Sequence, residues 1–298
     1  MNILEISHLS KSFGSKHVLS DVSFTVPEHC VFGFIGRNGA GKTTTMKAIL
    51  GMLPVDHGEI RICGENVKCG NTPTNRYVGY LPDVPAFYDC MTAPEYLHLC
   101  CEITGIPRAE QKSRCAEMLE LVGLADEKHR IKGFSRGMKQ RLGIAQALIH
   151  RPKLLICDEP TSALDPVGRK EILDILGTAT SQTSVVFSTH ILSDVERICT
   201  DLAVLEGGKI ALSGTIEEVR RLRRGTSLEL VPAEGSPQTL SELFPDAKID
   251  GEKLVFTNVS QQIQEQIMQT LLTHHIPIAR MEQQEADLEQ LFMEVIGK

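Results

Sequence analysis

The residues richest in chemistry form one short stretch, Gly36-Arg37-Asn38-Gly39-Ala40-Gly41-Lys42-Thr43-Thr44. Glycine, four residues, glycine, lysine, then serine or threonine is the spacing of a loop that binds phosphate. The glycines let the backbone approach an anion closely and adopt positive φ. Lys42 is placed to reach β- and γ-phosphate oxygens, and the Thr43 hydroxyl to ligate Mg²⁺. Chance would give the pattern in a chain of this size on the order of one time in a hundred.

A second set of residues supplies acids. Leu154-Leu155-Ile156-Cys157 is an apolar run that ends directly in Asp158-Glu159. Such a run reads as a parallel strand buried on both faces, and ligands bind beyond the carboxyl ends of such strands. Asp158 would hold Mg²⁺, directly or through water. Glu159, one residue on, would orient and polarise an attacking water, and general-base help of this kind is worth ~10²–10⁴-fold. His190 follows another apolar run, Ser184 to Ser188, and would meet the γ-phosphate at the same sheet edge. Phe13, beside Gly14 and upstream of the loop, offers a face for a purine ring, although a lone aromatic is more often packed into a core.

These groups need elements to hold them. Cys30–Ile35 has the length of a buried strand. Lys42–Leu53 reads as a helix with Met46, Ile49, Leu50 and Leu53 on one side. Strand, glycine turn and helix together bring backbone N–H groups and the positive helix end to one point. Met1–Leu9 and Val18–Val26 alternate as strands, with a possible irregularity at Ser20-Asp21, and Glu59–Ile62 and Val78–Leu81 add two more. From Asp83 to about Arg130 the period changes to helical, at Pro94–Ile103 and Arg108–Val122. A further helix starts at Ser135, with Met138, Leu142, Ala145 and Ile149 on one face. Leu154–Cys157 is expected to be a central strand, and Asp201–Leu205 with Lys209–Leu212 to form a hairpin over Gly207-Gly208. Strands at Ser227–Val231, Lys253–Thr257 and Ile276–Met281, with helices at Gln261–Thr273 and Glu285–Val295, make a small α/β appendage. The expected domains are 1–220, with a helical part at about 83–135, and 226–298.

Composition narrows the setting. The 298 residues suffice for a self-sustaining core, and the net charge of −7 gives no bulk attraction to nucleic acid. The nine cysteines show no CxxC pair or zinc spacing, as expected of reduced thiols in the cytosol. No apolar run approaches the ~20 residues needed to span a bilayer, so membrane work would need another chain.

With these residues in place, the chain resembles the ATP-binding subunit of an ABC transporter. The most specific stretch is Phe134-Ser135-Arg136-Gly137-Met138-Lys139-Gln140-Arg141, at the position of the family signature LSGGQ. Ser135 and Gly137 match it. Arg136 and Met138 depart, as is common in the export branch similar to bacitracin and lantibiotic transporters. Ser162-Ala163-Leu164-Asp165 matches the D-loop, His190 the switch histidine and Phe13 the adenine-stacking aromatic. Asp83 stands where the family usually has a metal-contacting glutamine, although glutamate is frequent there in this export branch, and it is shorter than glutamine and anionic.

The resemblance implies a P-loop NTPase: a mostly parallel central sheet, an N-terminal antiparallel β part, a helical part and a C-terminal appendage. It implies ATP and Mg²⁺ as ligands and ATPase activity coupled to transport. Two subunits, identical or close paralogues, would meet head to tail, each ATP lying between Lys42 of one and Ser135-Gly137 of the other. A separate transmembrane permease would dock on the helical part, at the cytoplasmic face of the membrane, and peptide-like or other amphipathic compounds would be exported. A soluble relative working on ribosomes or nucleic acid would carry two such domains or a long coiled-coil insert, and neither is visible here. A phosphate-loop kinase would leave Phe134–Arg141 and Ser162–Asp165 unexplained.

Overall fold

Five consecutive buried residues give β3 (Val31–Ile35) no solvent face, and the largest sheet is built around it. The computed structural model describes residues 1–70, 72–222, 226–233, 240, 243–259, 261–284 and 292. It divides into two compact units, Met1–Ile216 and Glu217–Lys298.

In the first unit the six-stranded sheet runs β10 (Lys209–Thr215), β9 (Asp201–Glu206), β3, β8 (Ser184–Thr189), β7 (Leu154–Asp158), β6 (Val78–Leu81). All neighbours are parallel except the β9–β10 hairpin. The expected central strand, β7, is therefore interior but one place from the edge, because β6 closes that side. Its continuous apolar run could establish burial on both faces but not strand order.

A second sheet is antiparallel and runs β2 (Lys16–Pro27), β1 (Asn2–Phe13), β4 (His57–Ile62), β5 (Glu65–Asn66). Both N-terminal strands are longer than their alternation suggested. Register shifts reset the inside–outside pattern part-way along, near His8 and Asp21, whose φ values are 54° and 59°. The irregularity expected at Ser20-Asp21 is present. Phe13 is the last residue of β1, beside the Gly14 turn. The two sheets share one core in which Phe24 of β2 stacks on Phe32 and Phe34 of β3, at 5.5 and 5.2 Å.

Helix α1 (Lys42–Ile49) is shorter than the expected 42–53. Gly51 has φ +68°, and a Cβ there would sit 2.7 Å from the Lys68 carbonyl oxygen, so the chain turns away. The helical part contains α2 (Ala93–Ile103), opened by a Thr92–Glu95 capping box, and α3 (Arg108–Leu121). Helix α4 (Arg136–Leu148) lies against β6 at unusually close range. A Cβ on Gly79 would come within 2.1 Å of the Ala147 carbonyl oxygen. This contact fixes the height of α4 over the sheet edge. Helices α5 (Pro166–Ala179) and α6 (Leu192–Ile198) complete the unit, and α7 (Ile216–Leu222) falls at the division.

The second unit holds a four-stranded antiparallel sheet, β12 (Lys248–Asp250), β13 (Lys253–Val259), β11 (Thr226–Pro232), β14 (Ile278–Gln284), and helix α8 (Gln261–Thr273). Leu228, Leu230, Leu254, Phe256, Ile267 and Leu271 form its core. The short β12 was not anticipated, and β14 starts and ends later than the expected 276–281. The expected helix at 285–295 lies outside the described residues, except for Phe292.

One buried cation ties the helical part to α4. Arg114 of α3 is 5% exposed, and it donates to the carbonyl oxygens of Leu148 and Ile149 at 2.6 and 2.9 Å. Those are C-terminal carbonyls of α4, which have no partner within the helix. Arg114→Ala leaves the Ile149 carbonyl without a partner and the Leu148 carbonyl with only the Arg151 N–H, and should lower unfolding stability by ~1–3 kcal/mol, measured by denaturant titration. A loss under ~0.5 kcal/mol, the range of an ordinary surface change, would show that the clamp carries no weight.

Candidate active site

Parallel pairing sets the site. In register, Ile35 of β3 lies beside Thr189 of β8, and Ser188 of β8 beside Asp158 of β7. The phosphate-type loop, the Asp158-Glu159 tip and His190 therefore leave the sheet at one edge. The loop is anchored there by the Gly36 N–H, which donates to the Thr189 carbonyl at 3.3 Å. A Cβ on Gly36 would lie 2.6 Å from the Leu205 carbonyl oxygen, so only glycine fits against β9. Gly41 turns the chain into α1 at φ 114°. Among the described residues the N–H groups of Asn38, Gly39, Gly41 and Lys42 find no acceptor. Orphan donors converging on a helix start are what an anionic phosphate requires.

The Lys42 ammonium is 5% exposed and sits within this cradle. It donates to the Gly36 and Arg37 carbonyls at 2.7 and 3.3 Å and lies 3.1 Å from Glu159 Oε1. The other oxygen, Glu159 Oε2, meets His190 Nδ1 at 2.9 Å. Lys42, Glu159 and His190, distant in sequence, thus share one carboxylate. Glu159 reaches back because its backbone is left-handed, φ 48°.

Asp158 is held differently. Its Oδ1 accepts from the Ser188 hydroxyl at 2.7 Å, and the same oxygen of Ser188 accepts from the Glu159 N–H at 2.9 Å. One fully buried hydroxyl thereby orients both acids. Ser188 was expected only as the end of an apolar strand. The available signal was a small polar residue closing Val185-Val186-Phe187 at the same level as Asp158. Two neighbours are kept inert. Burial, with help from the Asp158 and Asp83 charges, pushes the Tyr80 phenol up to about 12. Burial and Asp158 also raise the Cys157 thiol, which removes it as a nucleophile.

Thr43 is exposed on the first turn of α1, and Thr44 is half-buried beside it. Thr43 and Asp158 present the hydroxyl and carboxylate oxygens that suit a hard cation. Phe13 is 50% exposed at the end of β1, with Lys11 Nζ over its ring, 5.4 Å from the centroid. Ser135 caps α4, accepting from the Met138 N–H at 3.2 Å. A Cβ on Gly137 would be 3.9 Å from Leu164. Asp165 caps α5 through the Gly168 N–H at 3.1 Å. These three residues lie on exposed helix starts outside the Lys42–Glu159–His190 cluster. Asp83 is paired with Arg136 at 3.3 Å.

Comparison with known proteins gives the family. The family model described as ABC transporter matches residues 19–162, and that of an ATP-binding protein DrrA1-3-like C-terminal domain matches 214–296. The ABC transporter ATP-binding protein YxlF of Bacillus subtilis, itself uncharacterized, is 36% identical over 99% of both chains. This chain belongs to the ATP-binding subunits of ABC transporters. The bacitracin transport ATP-binding protein BcrA of Bacillus licheniformis is 33% identical over 99% of this chain and 97% of its own. The linearmycin resistance ATP-binding protein LnrL of B. subtilis is 31% identical over 99% of each. A solved ATP-binding subunit of an ABC transporter superposes with a TM-score of 0.65 at 33% identity, covering 74% of this chain and 92% of that one. Domains of this ABC family are generally ATPases that bind ATP with Mg²⁺. No helix among the described residues is long and apolar enough to cross a membrane.

Ser188→Ala would leave the Asp158 carboxylate and the Glu159 N–H without their shared partner. It should lower kcat about tenfold, the size of one buried hydrogen bond of ~1–1.5 kcal/mol, with ATP affinity within about twofold. Steady-state ATPase kinetics alongside calorimetric ATP titration checks both. An unchanged kcat would show that the two acids hold their aim without Ser188.

Proposed function

We propose that this subunit hydrolyses ATP to power export by a separate permease, and that two copies or close paralogues clamp the nucleotides head to tail. The observation that carries the reading is the 3.1 Å approach of Lys42 to Glu159, with His190 on the other carboxylate oxygen. It supports a γ-phosphate and its attacking water at the point where the loop meets the acid, with the direct Lys42–Glu159 contact giving way as they bind.

The roles follow from the atoms. Residues 36–44 surround the β- and γ-phosphates with N–H donors, and Lys42 exchanges its carbonyl partners for phosphate oxygens. Bound Mg²⁺ would supply charge neutralisation on those oxygens, with Thr43 and Asp158 as holders and Asp83 as a third candidate. Glu159 aims the water and accepts its proton. His190 fixes the Glu159 carboxylate and faces the departing phosphoryl group. Phe13 stacks on adenine. Ser135, Gly137 and Asp165 meet the partner's nucleotide, where the α4 N-terminus adds its positive end.

A groove of about 660 Å³ supports the permease partner. Tyr80, Phe87, Tyr88, Tyr96 and Ile103 are among its lining residues, and Tyr88 and Ile103 are 62% and 76% exposed. An aromatic groove between β6 and the helical part fits a short amphipathic helix from a membrane subunit. The names of bacitracin and linearmycin relatives favour an amphipathic, antibiotic-like cargo. The likeness to transporter subunits also supports a site at the inner membrane face.

Glu159→Gln should bind ATP yet hydrolyse it ~10²–10⁴-fold more slowly, the scale of lost general-base help, and should elute as a dimer with ATP. Unchanged turnover would remove Glu159 from the base role. Lys42→Ala should lose nucleotide affinity, and full affinity by calorimetry would undo the loop assignment. Ile103→Asp should reduce co-purification with a co-expressed candidate permease while leaving basal ATPase intact. Undiminished co-purification would rule out the groove.

A further inference from the structure

Two departures from the family pattern touch one another. Asp83 replaces the usual glutamine, and Arg136 replaces the first glycine of the signature. They are 53 residues apart, yet Arg136 Nη2 donates to Asp83 Oδ1 at 3.3 Å, and both side chains are nearly half exposed. One turn further along α4, Lys139 Nζ lies 3.7 Å from Asp89. Beneath these surface pairs is a buried clamp. Gln140 Nε2 donates to the Asp83 carbonyl at 3.1 Å and to the Pro160 carbonyl at 3.3 Å. The segment after β6 is thus fixed to α4 by backbone contacts below, and by exposed charge pairs above.

The two layers differ in what they can do. A buried, backbone-directed clamp persists, whereas an exposed ion pair is weak and exchanges readily for a better partner. A phosphate group is such a partner: it carries more charge than a carboxylate and accepts both arms of a guanidinium. Arg136 is the first residue of α4, beside Ser135 and Gly137. We propose that Arg136 grips the triphosphate bound by the opposite subunit, and that Asp83 is the positioning residue that holds Arg136 until that triphosphate arrives. This rests on the head-to-tail reading above. Asp83 cannot follow Arg136 onto the phosphates, because like charges repel. Asp83 without Arg136 would set an uncompensated anion near the nucleotide, and a glycine at 136 would give Asp83 nothing to hold.

The test uses the full chain carrying Glu159→Gln and reads the ATP concentration at half-dimerisation by light scattering. ATP affinity of the monomer is measured separately with a fluorescent ATP analogue at protein concentrations too low to dimerise. Adding Arg136→Ala should raise the half-dimerisation concentration roughly tenfold, as expected for one lost charge-assisted contact, and leave monomer affinity unchanged. Arg136→Lys should fall between. Asp83→Asn should lower the concentration, because Arg136 is no longer held. Dimerisation of the Arg136→Ala chain at the parent's ATP concentration would overturn the proposal. So would an Asp83→Asn chain that weakens alongside it, as a purely metal-binding or structural Asp83 would. A Glu159→Gln parent that binds ATP but never dimerises would sink the head-to-tail reading first, and the proposal with it.

Discussion

The parallel register of β3, β8 and β7 is the constraint on which the site depends. His190 and Glu159 directly follow the last residues of β8 and β7, Lys42 follows the 36–41 loop after β3, and parallel pairing requires all of them to emerge on the same side. Lys42, His190 and Glu159 need no further device to meet than loops short enough not to wander. A shift of one residue in β7 would turn Asp158 to the other face of the sheet, away from the Ser188 hydroxyl that orients it.

The packing beneath that edge serves the same end. The antiparallel sheet closes over β3 through the Phe24–Phe32–Phe34 stack, which holds the sheet's far face dry and makes the strand ends rigid. On the other flank, Gly79 lets α4 sit directly on β6, and Arg114 secures the C-terminal carbonyls of that helix. The signature residues at its N-terminus are therefore presented on a rod with little play, as the proposed meeting with a second subunit requires.

What the sequence made legible was local. The glycine–lysine loop, the acid after an apolar run and the Gly207-Gly208 hairpin are each specified by residues within ten positions of one another. The groups that unite them are not. Ser188 bridges the two acids across 29 and 30 residues, and Gln140 reaches 57 residues back and 20 forward. No period or motif reports such contacts, because they arise only when the sheet order is known. The sheet order itself escaped for a related reason: the apolar runs of β3, β7 and β8 look alike, so composition could not say which lies nearer the edge. The short α1 and the long β1 and β2 show the other limit. There, Gly51 and the register shifts overrode periodicity.

The left-handed backbone at Glu159 carries an evolutionary corollary. A residue with a Cβ occupies that region at a cost on the order of 1–2 kcal/mol, so the polypeptide is under a standing pull toward glycine at this position. Drift alone would favour a better-folded chain with no acid at the sheet edge. Its persistence there would mark selection for turnover over thermal robustness, and a degenerate copy freed from that selection should lose this side chain early while keeping its loop and its fold.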